Sequence, residues 1–92
     1  MNRYERIQAL INEGMKYDHL EIVNESHLHK GHGGDDGSGE SHFRVTIVSS
    51  DFEGLSRVER HKKIYAILQS EIDAGMHAIA LKTHTKEEFS RM

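Results

Sequence analysis

The segment from Phe43 to Thr83 does most to limit the fold, because it reads strand, helix, strand in immediate succession. Phe43, Val45 and Ile47 alternate with Arg44, Thr46 and Val48 up to Ser49, the two-residue period of a strand. Met76 to Thr83 alternates again, with His77, Ile79 and Leu81 on one face and Met76, Ala78 and Ala80 on the other. Between them, Ser56 and Glu59 form a capping box, and Val58, His61, Tyr65, Leu68 and Ile72 make a stripe at intervals of three and four. Gly75 closes this long helix. Two strands joined by such a helix become a parallel pair through a right-handed crossover.

The flanking segments extend that unit. Tyr4, Ile7, Leu10 and Ile11 recur at helical spacing from Arg3 to Gly14, where glycine offers a stop. Leu20 to Asn24 reads as a strand that pairs antiparallel with Phe43 to Ser49. Thr85 and Glu88 form a second capping box, opening a short last helix. The expected order is α-β-β-α-β-α. It gives an α+β two-layer sandwich with a three-stranded mixed sheet and helices on one face, a single domain over residues 1–92 without internal repeats.

Composition excludes several functions. The chain has no cysteine, so disulfides, thiol catalysis and self-sufficient zinc-finger or iron–sulfur sites are ruled out. A formal charge of −3 gives no global attraction to nucleic acid or anionic lipid. The N-terminus "MNRYERIQ" lacks the apolar core of a signal peptide, and a soluble cytoplasmic protein is expected. No nucleophile elbow or P-loop occurs: "GHGGDDGSG" has neither the lysine nor the following helix that a phosphate cradle needs. The chain is expected not to be an enzyme.

Residues 25–42 are expected to be a long flexible loop between the first two strands, rich in turn-forming glycine and acidic residues. His27, His29, His32 and His42 lie in or beside it, and His61 and His77 sit on faces that periodicity turns inward. Neutral imidazole is a good transition-metal ligand. No H-E-x-x-H or comparable spacing fixes a geometry, so a solvated loop and a metal-ligating one both fit the composition. The other charged feature is the start of the long helix. Arg57, Arg60, Lys62 and Lys63 against Glu59 give a local balance of +3, which can meet a phosphate backbone or be a solvated face.

Four stretches in order carry a family resemblance: "EIVNESHLH" (Glu21 to His29), "GESHFRVTIVSSDFEG" (Gly39 to Gly54), "RHKKIY" (Arg60 to Tyr65) and "MHAIALKTHTKEEF" (Met76 to Phe89). Along essentially its whole length the chain resembles the BolA family. The resemblance implies a class II KH-like fold of αββααβα order, with an extra helical turn near Glu53 to Arg57. It implies a monothiol glutaredoxin partner and a [2Fe–2S] cluster shared with that partner and glutathione, in iron–sulfur trafficking or iron and redox signalling. The ligands it implies are His29 in "SHLH" and His77 in "HAIA", with His27 and His32 as loop alternatives. Arg60, His61 and Phe89 fall at the implied partner surface. Two imidazoles on one iron and two thiolates on the other would be similar to Rieske ligation. No cofactor is expected in the isolated protein, which should be a monomer or weak homodimer.

The alternative implied by some bacterial members is a DNA-binding transcriptional regulator of morphology and stress genes, using Arg57, Arg60, Lys62 and Lys63. The KH signature G-x-x-G is missing from "DFEGLSR", which has one glycine, so RNA binding by the KH mode is not expected.

Overall fold

The computed structural model of the chain describes residues 2–25, 42–76 and 78–92. The elements are α1 (Arg3–Gly14), β1 (His19–Asn24), β2 (His42–Val48), a 3-10 turn (Ser50–Phe52), α2 (Arg57–Ile67), α3 (Gln69–Asp73), β3 (Ala78–His84) and α4 (Lys86–Ser90). The sheet order is β1-β2-β3. β1 runs antiparallel to β2, with Ile22 opposite Val45, and β3 runs parallel to β2, with Val45 opposite Leu81. The mixed sheet expected from the strand–helix–strand unit is therefore present.

Alternation decides which face is buried. Leu20, Ile22, Phe43, Val45, Ile47, Ile79 and Leu81 share one face by register, and they pack with Ile7, Ile11, Phe52, Ile64 and Leu68 in a single core. Each fully buried isoleucine or phenylalanine there contributes up to about 3 kcal/mol of transfer free energy. β2 lies between its two neighbours and is buried almost throughout, whereas β1 and β3 are edge strands.

The sequence places the helix ends correctly but misjudges two features of the long helix. Ser56 accepts from the Glu59 N–H while Glu59 accepts from the Ser56 N–H, and Thr85 and Glu88 repeat the arrangement. At the far end Gly75 has φ +117°. Its N–H donates to Ile72 O and that of Met76 to Glu71 O, a Schellman closure. Between these ends, however, the expected single helix divides at Leu68. The stripe is also rotated: Val58 is 62% and Tyr65 39% exposed, and the core takes Ile64 alongside the expected Leu68. No proline or glycine stands near the break. It coincides with the turn of Glu71 toward Arg3 and Arg6, which donate to its carboxylate at 3.2 and 3.0 Å.

One local expectation is corrected, and one glycine gains a packing reason. The extra turn lies at Ser50–Phe52 rather than near Glu53 to Arg57, because the Ser49 hydroxyl accepts the Asp51 N–H and Gly54, at φ +78°, turns the chain before α2. Gly14 has no positive φ, so left-handed geometry does not explain it. A Cβ there would come within 2.9 Å of Ile67 Cγ1, so glycine allows α1 to approach α2 closely.

Candidate functional site

A concavity among the described residues runs along the outer edge of β3. It is a groove of about 770 Å³ between the first turns of α2, the C-terminal half of β3, and α4. α2 contributes Arg57, Arg60 and His61, and β3 contributes Leu81 to His84. Glu88 and Met92 close the end.

Arg60 organises this end of the molecule. Its guanidinium donates to Glu88 through Nη1 and Nη2, at 2.6 and 3.0 Å, a bidentate pair that joins α2 to α4. Nη1 also donates to Thr83 O at 3.2 Å and Nε to Leu55 O at 3.0 Å, while the guanidinium carbon lies 5.8 Å from the centroid of the Phe52 ring. The hydrogen bond from Arg60, reinforced by the Thr85 N–H, lowers the Glu88 pKa to about 2, and Glu88 in turn raises that of Arg60. Glu59 is lowered too, held by the Ser56 backbone and hydroxyl.

Phe89 completes the α4 anchor. Its ring stacks on His19 at 5.3 Å and tilts against His84 at 6.0 Å. His19 and His84 both pair with Val48 and share its face, so Phe89 reaches the sheet surface opposite the main core. Thr83 Oγ1 and His84 Nε2 are buried without a hydrogen-bond partner among the described residues.

The structure thus brings Arg57, Arg60 and His61 to one groove, while Lys62 and Lys63 do not line it. Lys62 is exposed and Lys63 half-buried. Arg60, expected at a partner or nucleic-acid surface, is an internal clamp with a side chain only 11% exposed. Phe89 remains 39% exposed despite its ring contacts. His29, His77 and the alternatives His27 and His32 lie outside the described residues. Sequence reasoning missed Lys82, His84 and His19. For His84 the signal was present in "KTHT", a histidine at a strand end next to a helix cap.

Among the described residues no group of three or more His, Asp or Glu is arranged to hold a metal ion. None of the described helices is long and apolar enough to cross a membrane.

Comparison with known proteins gives this geometry a family. The family described as BolA-like protein matches residues 11–88. An uncharacterized protein in the cobS 5' region of a Sinorhizobium species is 48% identical over 99% of both chains. The DNA-binding transcriptional regulator BolA of Haemophilus influenzae is 41% identical, over 90% of this chain and 77% of its own length. The solved BolA domain of SufE1 from Arabidopsis thaliana is 35% identical and superposes with a TM-score of 0.85, covering 96% of each chain. With motifs, element order and sheet topology agreeing over this length, the chain belongs to the BolA family.

Proposed function

We propose that this chain is an accessory protein that docks a monothiol glutaredoxin and shares a [2Fe–2S] cluster with it, in iron–sulfur trafficking or iron and redox signalling. One observation carries the reading. The sheet register pairs His42 with Ala78, and the Glu25 N–H donates to His42 O at 2.9 Å. Both described ends of the histidine-rich segment therefore meet beside the residue that follows His77. A chain without cysteine offers imidazole as its only soft-metal nitrogen donor, which suits two positions on one iron. In this reading His29 and His77 hold that iron, with His27 and His32 as alternatives to His29, and a glutaredoxin cysteine and glutathione hold the other. Bound there, the cluster supplies one-electron chemistry at a potential raised by its imidazole ligands. His61 and Phe89 border the partner, and Arg60 contributes by fixing α4.

Mixing the protein with a monothiol glutaredoxin, iron, sulfide and glutathione should give a visible absorption and circular-dichroism spectrum distinct from that of the glutaredoxin homodimer. The His29→Ala/His77→Ala variant should give the homodimer spectrum. If the double variant still yields the mixed spectrum, the ligand assignment is wrong.

A second reading, DNA binding, draws support from the name of the Haemophilus relative and from exposed Arg57 and Lys62 at the start of α2. Because Arg60 is already paired, the cations available there are Arg57, Lys62 and Lys63. Lys62→Glu/Lys63→Glu should abolish binding to duplex DNA at low salt, and no binding by the wild-type chain under those conditions would end this reading.

A further inference from the structure

β3 has a free edge whose polarity follows from two hydrogen bonds. The Ser49 N–H donates to His84 O, so the His84 carbonyl points toward β2, and Arg60 Nη1 donates to Thr83 O, so the Thr83 carbonyl points away. Backbone groups of neighbouring strand residues face opposite sides. Ala78, Ala80 and Lys82 therefore bond β2, while Ile79, Leu81 and the Thr83 N–H lie on the outer edge, where the described sheet has no further strand.

This edge borders a shelf formed by α2 and α3. At the Leu81–His84 end Arg57 and Lys82 make the wall cationic beside His61, because Arg60 and Glu88 there are paired with each other. At the other end a cavity of about 240 Å³ is lined by residues with mainly apolar side chains, Tyr65, Ile72, Met76, Ala78 and Ile79. Tyr65, which the core leaves 39% exposed, stands over that apolar end. The buried, unpartnered Thr83 hydroxyl lines the cationic end and marks a place for a polar group. Arg60 occupies the Thr83 carbonyl, so pairing along the edge stops at the Thr83 N–H.

We infer that the β3 edge is a docking strand for an extended peptide segment of another protein, acidic at the end that meets Arg57 and Lys82 and apolar at the end that meets Tyr65 and Ile79. Main-chain bonds to Ile79 and Leu81 supply affinity, and the shelf selects the side chains. A second copy of this chain is a poor occupant. Antiparallel pairing of two β3 edges would set the cationic end of each against the apolar end of the other. The docking strand needs neither thiol nor cluster, so it stands or falls separately from the glutaredoxin reading.

The test uses the full ¹⁵N-labelled chain and a fluorescein-labelled synthetic peptide of three aspartates followed by alternating valine and threonine. In the free protein the amides of Ile79 and Leu81 should exchange with solvent faster than those of Ala80 and Lys82. Saturating peptide should slow the first pair by about tenfold or more while leaving the second pair unchanged. Arg57→Glu/Lys82→Glu, shown folded by circular dichroism, should weaken binding by about tenfold or more, and a peptide N-methylated at alternate residues should lose both binding and protection. The inference is overturned by any of three results: no saturable binding of the probe, binding without protection of Ile79 and Leu81, or protection of the same amides that rises with protein concentration alone and tracks a dimer mass.

Discussion

The guanidinium of Arg60 is committed on every side: to Glu88, to two backbone carbonyls and to the face of Phe52. In a linear reading it is one cation among several; in the fold it is the joint between α2, β3 and α4. Glu71 has the same character. Only 5% exposed, it accepts from Arg3 and Arg6, while Arg3, itself 5% exposed, also donates to Ala74 O. Removing one member of a buried pair leaves the other desolvated and uncompensated, a cost of about 3–5 kcal/mol. Glu71→Ala should therefore lower the urea unfolding free energy by at least about 3 kcal/mol. Arg3→Met/Glu71→Leu should recover much of that loss, because a matched apolar pair buries no charge. A Glu71→Ala protein as stable as wild type would show the cluster to be solvated.

At the scale of elements, α4 is the one most dependent on a single titrating contact. The Glu88 carboxyl is held at about 2 against an ordinary value of 4.5, chiefly by Arg60. A carboxyl lowered on folding stabilises the folded form above its unfolded pKa and loses that contribution as pH falls through the folded one. α4 should therefore loosen between pH 4.5 and about 2. The change should be visible as loss of the Phe89 ring-current shifts on the His19 and His84 ring protons. Glu88→Gln should remove the pH step and leave those shifts reduced at neutral pH. The close approach of α1 and α2 gives a second expectation. Gly14→Ala should cost about 1–2 kcal/mol from overpacking against Ile67, and the cost should vanish in an Ile67→Ala background. Element order, the Ser56 and Thr85 capping boxes and the Gly75 closure were legible because each depends on neighbours within a few residues. The buried face of α2 was not. Two stripes share Leu68, and the one that is buried carries Arg60 and Glu71, which look polar until their partners in α4 and α1 are known. The groove was half legible for the same reason: Arg57 and His61 could be singled out, but Lys82 and His84 join them only once β3 lies alongside α2.

For the whole molecule, the balance of charge weighs the two functional readings against each other. The chain carries −3 overall, and its free cations at the start of α2 are three after the Arg60–Glu88 pair is set aside. Neutralising three phosphates gives a slope of log affinity against log salt of about −3, far shallower than that of a dedicated regulator making many phosphate contacts. The remaining negative field also opposes approach to a polyanion. Electrophoretic mobility shifts on a duplex of arbitrary sequence should therefore show binding at low salt that is lost by physiological ionic strength, with a slope no steeper than about −3. A steeper slope would mean that more of the surface meets phosphate than Arg57, Lys62 and Lys63 provide, through a second copy or through residues outside those described. Binding that persists at physiological salt and distinguishes one duplex sequence from another would favour the regulator over the cluster partner, because these three cations contact backbone and carry no base readout.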